Sequence, residues 1–195
     1  FGGLPSEPSW FTDGISEVTV PIDKVPLKPK LLAEMKSNNY MLNSLTAMAA
    51  RDQGGVFGIA VDSQGFVKES CVLNVVSVSR SGVLRTPPFD NILAGTTVRR
   101  TMDLAASLIG RGCASSASLA AVKQEAISLQ QAYDSKELFL VAGDTHLYPI
   151  VKLDGHVIGD GVVGDVARKL AHLLKEDAAV GHSCHHSIAA LLGRH

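Results

Sequence analysis

Residues 33–45 read AEMKSNNYMLNSL, a stretch that places a lysine directly before a helical pattern. Beyond Asn38, apolar side chains recur at the spacing of one helical face, at Met41, Leu45, Met48 and Ala49. Gly54 and Gly55 then supply a stop signal. The pattern therefore predicts one helix that begins just after Lys36.

The sequence beyond this helix contains both hairpin and helical patterns. Residues 56–88 are rich in β-branched side chains and are interrupted by the turn sequences DSQG and SRSG, which predicts about four antiparallel strands. Further strands are predicted at residues 137–141 and on both sides of the Asp154-Gly155 turn. Helices are predicted at residues 95–110, 120–132 and 164–175. Together these elements predict an α+β domain in which hairpins build a sheet and helices cover it.

The two ends of the chain differ from its middle. Prolines at positions 5, 8, 21, 26 and 29 interrupt regular structure, so residues 1–30 are interpreted as an extended connector. Residues 31–178 form the predicted folded domain, and residues 179–195 are interpreted as a tail. Because the chain begins with Phe1 rather than methionine, we expect a fragment or a processed product.

The composition argues against several classes of partner. Lysine plus arginine (18) nearly balance aspartate plus glutamate (19), so no basic field is available for a nucleic acid. The longest apolar stretches fall short of the roughly 20 residues that a membrane-spanning helix needs. The 3 cysteines are far apart and form no CxxC motif, which argues against a disulfide framework and a zinc ribbon. We therefore expect a soluble protein of a reducing compartment, without nucleic-acid or membrane partners.

Four motifs occur in an order that is typical of one enzyme family. They are AEMKSNNYMLNSL (33–45), GFVKESCVLNVVSV (65–78), VLRTPPFDNILAGTTVRR (83–100) and HVIGDGVVGDV (156–166). From about residue 12 to about residue 177, the chain resembles the class IV aminotransferases. It is most similar to the plant-like members of the D-amino-acid aminotransferase and aminodeoxychorismate lyase branch. The resemblance implies that residues 31–178 are the cofactor-binding C-terminal lobe of that fold, a pseudobarrel of antiparallel and mixed sheet covered by helices. It also implies that residues 1–30 connect this lobe to a missing N-terminal lobe.

The resemblance also implies pyridoxal 5′-phosphate as cofactor, with Lys36 forming the Schiff base. Glu69 would keep the pyridine nitrogen protonated, and Asn74 belongs to the same motif. Taken alone, Lys36 is better explained as a surface charge and Glu69 as a strand carboxylate facing water. The surrounding motifs favour the functional interpretation of both. Tyr40 would lie against the phenolic oxygen of the cofactor or, by its helical spacing from Ser44, in the core, and both interpretations stay open.

Two further segments would hold the cofactor phosphate. Gly95, Thr96 and Thr97 stand at a predicted helix start, where N–H groups and the helix dipole favour an anion, and Thr97 would also serve as an N-cap. In VAGDTHLYP, Gly143 and Asp144 stand where relatives usually have a serine or threonine. The N–H of Gly143 can still donate. Asp144 would repel a phosphate, so either it turns away or the threonine after it takes the role.

Two other patterns have alternative interpretations that we do not favour. Gly159, Gly161 and Gly164 spell GxGxxG, but a dinucleotide site needs parallel strands in a βαβ unit, whereas the preceding pattern predicts an antiparallel hairpin. Histidine and cysteine at positions 182, 184, 185 and 186 have no standard metal-site spacing and are interpreted as part of a solvated tail. No metal is therefore predicted.

The leading hypothesis is a pyridoxal-phosphate-dependent transaminase acting on amino acids of the D- or branched-chain type and their oxo acids. The alternative is an aminodeoxychorismate lyase, which uses the same lysine to release pyruvate. A third hypothesis is a truncated, non-catalytic remnant, because the family's phosphate-binding arginine and substrate-carboxylate groups lie in a first lobe that this chain lacks. A lone lobe would expose apolar surface and show weak or no turnover. The resemblance further implies a homodimer and a plastid or cytoplasmic location.

Overall fold

Helices and strands follow one another along residues 7–110, 117–143 and 146–179, the part of the chain that the computed structural model describes. The helices are α1 (Pro8–Thr12), α2 (Lys30–Glu34), α3 (Met41–Asp52), α4 (Thr96–Ala106), α5 (Leu129–Tyr133) and α6 (Asp165–Asp177). The strands are β1 (Ile15–Glu17), β2 (Thr19–Pro21), β3 (Ile59–Val61), β4 (Val67–Ser70), β5 (Asn74–Val78), β6 (Val83–Thr86), β7 (Ala121–Gln124), β8 (Glu137–Val141), β9 (Leu147–Leu153) and β10 (His156–Val157).

The strands form one mixed sheet that curls back on itself. Its order is β1-β9-β8-β5-β4-β3-β2, with β10 against β9, β6 against β5 and β7 against β6. The pairs β1–β9, β2–β3 and β6–β7 are parallel, and the others are antiparallel. β1 and β2 lie at opposite ends of this order, yet only Val18 separates them in sequence. The two ends of the sheet must therefore approach each other, which makes the sheet a nearly closed barrel.

Glu17 fastens the seam between the two ends of the sheet. Its carboxylate is 1% exposed and accepts hydrogen bonds from the backbone N–H groups of Val18, Val56, Phe57 and Gly58 at 2.8–3.1 Å. Three of these donors belong to the segment that leads into β3, the strand that carries β2. Burial raises the pKa of Glu17, and the four donors oppose that rise. One side chain thus joins β1 to the opposite end of the sheet.

Both faces of the sheet are covered, as β8 illustrates. Every residue of Glu137–Val141 is buried although consecutive side chains point to opposite faces. Leu138 and Leu140 belong to an apolar cluster that also contains side chains of β1, β3 and β9, and this cluster fills the inside of the barrel. Phe139 and Val141 belong to a second cluster, which packs the outside of the sheet against α4 and α6. The predicted α+β architecture is therefore confirmed.

Most predicted elements are present with small shifts of their ends. The helix predicted after Lys36 is α3, and those predicted at residues 95–110 and 164–175 are α4 and α6. Strands β3 to β6 are the four predicted antiparallel strands. β9 and β10 meet at Asp154 and Gly155, whose φ angles of 49° and 82° form the predicted turn.

The interpretation of residues 1–30 as an extended connector is wrong for the part between Pro8 and Pro21. Pro8 starts α1, and the alternating run that follows forms β1 and β2 with Ile15 and Val20 buried. Proline is tolerated at both places, because the first turn of a helix and the end of a strand need no N–H donor there. The partner strands β9 and β3 are distant in sequence, so local patterns do not reveal the pairing.

The helix predicted at residues 120–132 is also wrong in its first half. Ala121–Gln124 forms β7, which pairs in parallel with β6, and only Leu129–Tyr133 is helical. Ser128 begins that helix with a capping box, in which its side chain accepts from the N–H of Gln131 while the Gln131 side chain accepts from the N–H of Ser128. This S-x-x-Q signal was present in the sequence and marks where the helix starts.

The apolar face of α3 points away from the core. Met41, Leu45 and Met48 are 67%, 40% and 57% exposed, whereas Thr46 and Ala50 are buried. Helical spacing therefore predicted the element correctly, but the apolar stripe is not the face that this chain buries. Within the described ranges, no helix is long and apolar enough to cross a membrane.

Asp154 links the β9–β10 turn to β2 and α5. Its carboxylate accepts hydrogen bonds from the backbone N–H of Thr19 (2.7 Å), the Thr19 hydroxyl (2.9 Å) and the Tyr133 hydroxyl (2.9 Å). Burial and the neighbouring Asp154 carboxylate together raise the pKa of Tyr133 to about 12. Folding therefore stabilises the protonated form of Tyr133.

This arrangement predicts the alkaline behaviour of the protein. The pKa of Tyr133 is raised on folding from its ordinary value of 10.0, so its contribution to stability is full below about pH 10 and is lost as the pH rises through about 12. A spectrophotometric titration should show an ionisation near pH 12 that Tyr133→Phe removes and Tyr40→Phe retains. Persistence of that transition in Tyr133→Phe would contradict the assignment.

Candidate functional site

Lys36 and Tyr40 stand together at the entrance to α3. The Lys36 amine contacts the Tyr40 hydroxyl and lies 5.2 Å from the centre of the Tyr40 ring. Both residues line a small cleft, about 40 Å³ in volume, which Glu69 and Asn74 also line. The structure thus brings four of the predicted site residues to one place. Tyr40 is half-buried, so it is not a core residue.

Glu69 lies on β4, directly opposite Asn74 on β5. Its residue is 8% exposed, and its Oε2 atom accepts a hydrogen bond from the backbone N–H of Leu93 at 3.1 Å. The Oε1 atom forms a close ion pair with the Lys28 amine. Because a carboxylate oxygen has more than one lone pair, Oε1 can accept a further hydrogen bond beside Lys28.

Asn74 on β5 also binds Leu93, in the loop that precedes α4. Its amide donates a hydrogen bond of 2.8 Å to the carbonyl oxygen of Leu93. A Cβ atom added to Gly95 would lie 2.3 Å from the Asn74 amide oxygen, so the loop approaches this side chain too closely for any larger residue. Leu93 therefore bonds to both Glu69 and Asn74, and together these contacts fix the start of α4 beside the cleft.

The N-terminus of α4 follows directly. Gly95 is the N-cap residue, and no side chain caps the helix, so the interpretation of Thr97 as an N-cap is wrong. The first N–H groups of a helix, here those of Thr96, Thr97 and Val98, have no intrahelical acceptor. These donors and the positive end of the dipole of this 11-residue helix make its start suited to a phosphate.

Gly143 is the last predicted site residue that can be placed. It follows β8 two residues after Val141, which pairs with Asn74, so it lies at the same end of the sheet as the cleft. Apart from its chain neighbours, no heavy atom of the described residues lies within 4 Å of a Cβ built on Gly143. Asp144, the threonine after it and the histidines and cysteine of the tail lie outside the described residues.

A larger cavity of about 260 Å³ adjoins the cleft. The two share Lys28, Asn43, Glu69 and Cys71 as walls. Asn43 donates to the Cys71 carbonyl oxygen, which holds α3 against the end of β4. Burial raises the pKa of the Cys71 thiol to about 11, so the thiol is protonated at neutral pH and is not a nucleophile. Lys28 and Leu93, both in contact with Glu69, are the site residues that sequence reasoning missed.

The close approach of Gly95 and Asn74 predicts a sensitive position. We expect Gly95→Ala to lower the free energy of unfolding by about 1–3 kcal/mol, because the added Cβ forces the loop or Asn74 to move. Gly143→Ala is the matched control and should change it by less than about 0.5 kcal/mol, since its surroundings are open. Denaturant unfolding measures both, and equal effects would refute the close contact.

Known proteins are similar to this chain over most of its length. A family model described as amino-transferase class IV matches residues 7–153. The chain is 34% identical over 165 residues to the D-amino-acid transaminase, chloroplastic, of Arabidopsis thaliana, covering 84% of this chain and 43% of that protein. It is 30% identical over 139 residues to the branched-chain-amino-acid aminotransferase of Escherichia coli, covering 71% of this chain and 41% of that protein.

A solved structure shows the same fold. It is a T.th. branched-chain amino acid aminotransferase complexed with N-(5′-phosphopyridoxyl)-L-glutamate, with a TM-score of 0.66 and 22% sequence identity over 95% of this chain and 54% of that chain. The predicted pseudobarrel fold is therefore confirmed. The chain spans less than half the length of the two curated relatives and about half of this structure.

Proposed function

Because the chain belongs to the class IV aminotransferase family, we propose that it is the cofactor-binding lobe of a pyridoxal-phosphate-dependent transaminase that acts on amino acids. The observation that carries the proposal is that the nearly buried carboxylate of Glu69 and the amine of Lys36 line the same cleft. A carboxylate acceptor and a primary amine across one cleft suit a pyridine ring that carries an aldehyde.

Each residue of the site has a proposed task toward this cofactor. The cofactor supplies an electron sink for negative charge at the α-carbon of a bound amino acid. Lys36 would attach the cofactor covalently and, as a neutral amine, carry the proton that leaves the α-carbon. Tyr40, whose hydroxyl contacts that amine, would orient it. Glu69 would accept a hydrogen bond from the ring nitrogen and so hold the proton there.

The phosphate would lie at the start of α4. The N–H groups of Thr96 and Thr97 point out of the helix N-terminus, and Gly95 lets the loop approach Asn74 closely. The N–H of Gly143 would add a donor from the end of β8. Asn74 would act indirectly, since its hydrogen bond to Leu93 fixes the loop rather than the cofactor.

The cofactor proposal is tested by chemical trapping. Pyridoxal phosphate added to the protein should be fixed by borohydride reduction, and peptide mapping should find the label on Lys36. Lys30 is the matched control, because it lies on α2 nearby but pairs with Glu34 on the surface. A label on Lys30 or on any other lysine in place of Lys36 would refute the proposed function.

The substrate class is tested by activity. D-alanine plus 2-oxoglutarate should give glutamate, in keeping with the identity to a protein named as a D-amino-acid transaminase. Leucine in place of D-alanine tests the branched-chain type. If the protein instead released pyruvate from aminodeoxychorismate and formed no glutamate, its function would be that of a lyase rather than a transaminase.

We further propose that efficient turnover needs sequence beyond this chain, which spans 43% and 41% of the two curated relatives named above. The exposed apolar residues Met41, Leu45 and Met48 agree with a surface that something else covers, either another lobe or a second copy in a homodimer. A form extended to the length of those relatives should turn over much faster than the 195-residue chain. Equal rates would refute this part of the proposal.

A further inference from the structure

Lys28 approaches the cleft from a segment that holds it in place. Pro26 and Pro29 flank it closely, and a residue that precedes a proline is confined to extended backbone. Lys28 lines both the cleft and the larger cavity, and its side chain is 20% exposed. The prolines restrict the backbone at Lys28, and the ion pair with Glu69 then holds its amine at the cleft.

The contact of Lys28 with Glu69 balances the charge of a nearly buried carboxylate. The two side chains form an ion pair in which the Glu69 side chain is only 11% exposed. The other carboxylate oxygen, Oε2, accepts a hydrogen bond from the backbone N–H of Leu93. A carboxylate oxygen has more than one lone pair, so Oε1 can accept a further hydrogen bond beside Lys28. Without a counter-charge, a carboxylate buried to this extent would be costly.

The two lysines of the cleft thus differ in what they contact. The Lys36 amine contacts Tyr40, and the Lys28 amine pairs with Glu69. The ion pair balances the charge of the Glu69 carboxylate, whose oxygens are hydrogen-bond acceptors. Glu69 would therefore suit a ligand that presents an N–H group at this point.

We propose that Lys28 is a positioning residue whose ion pair with Glu69 holds that carboxylate in the orientation in which it accepts a hydrogen bond from the ring nitrogen of the cofactor. The inference rests on the proposed function. Without Lys28, the Glu69 side chain would lose one of the two contacts that hold it and would bind an N–H donor less strongly. Arginine at position 28 retains the charge and should retain the effect.

The test uses two ligands that differ at one ring position. These are pyridoxamine 5′-phosphate and its analogue with C–H in place of the ring nitrogen, neither of which can react with Lys36. The wild-type protein should prefer the first by at least about tenfold, the scale of one hydrogen bond to a charged group. Lys28→Met should lose most of this preference, as should Glu69→Gln. Lys28→Arg and the surface control Lys30→Met should keep it. An unchanged preference in Lys28→Met would overturn the proposal.

A second arm works without any ligand. Denaturant unfolding of Lys28→Met, Glu69→Gln and the double variant forms a double-mutant cycle, and we expect the two side chains to be coupled. Additive effects would overturn the proposal whatever the ligands do. If borohydride labels Lys36 but the wild-type protein shows no ligand preference, this inference fails and the proposed function stands. If neither ligand nor label binds while the cycle shows coupling, the proposed function fails, and Lys28 is only the counter-ion of Glu69.

Discussion

Replacement of Lys36 by alanine is expected to abolish the borohydride-stable attachment of pyridoxal phosphate to the protein. Lys36 is the amine of the cleft that no carboxylate neutralises in the described part of the chain, and its contact is the Tyr40 hydroxyl. In a form of the protein that catalyses transamination, the same substitution should lower the turnover rate by about 10²–10⁴-fold, the usual contribution of a positioned proton carrier. Mass spectrometry of the reduced protein and steady-state kinetics measure the two effects.

The same variant should leave the fold intact. Lys36 is exposed, so its loss should change the free energy of unfolding by no more than about 0.5 kcal/mol. Lys30→Ala controls for the loss of a lysine near α2 and should keep both label and turnover. A Lys36→Ala protein that still retains the reduced cofactor would place the attachment elsewhere and refute the assignment.

Replacement of Glu17 by alanine should cause the largest loss of stability. Four backbone N–H groups would lose their acceptor at a buried seam, at a cost of at least about 3 kcal/mol in the free energy of unfolding. Glu17→Gln keeps one acceptor oxygen but turns an amide N–H toward a backbone donor, so a smaller loss is expected. Glu176→Gln, at an exposed position on α6, should be neutral.

The effect of Glu17 should also depend on pH. Its pKa is raised above 4.5 on folding, so folding favours the protonated form and the contribution of Glu17 to stability grows as the pH falls. The stability difference between the wild type and Glu17→Gln should therefore widen from neutral pH toward about 4.5. A difference that narrows over this range would contradict the cause assigned to the pKa shift.

Local patterns in the sequence predicted the elements that depend on near neighbours. Helix α3 and the β9–β10 turn follow from apolar spacing and from the Asp154-Gly155 pair, both of which act within a few residues. The strand β7 could not be predicted in this way, because its partner strand β6 is distant in sequence, with α4 between the two. Pairing between distant segments leaves no local signal, and tertiary context decided it.

The same limit applies to the site. Lys36, Glu69 and Asn74 stand in motifs and could be proposed from the sequence, and the structure places them around one cleft. Lys28 carried no motif, since a lysine between prolines looks like any surface charge until Glu69 is found beside it. The part played by Leu93 was also hidden, because its backbone rather than its side chain makes the contacts. The proposed roles of these residues remain predictions.

Because only Val18 separates β1 from β2, the closure of the sheet constrains the order in which the strands can pair during synthesis. Thr19 is hydrogen-bonded to Asp154, which lies 135 residues further along the chain. During synthesis, the first two strands therefore leave the ribosome long before β9 exists, and an unpaired strand edge is a template for wrong partners. The barrel can be sealed only after nearly all of its strands have been translated. The Glu17 carboxylate can bind its donors at residues 56–58 early, whereas the parallel pairing of β1 with β9 must be among the last contacts to form.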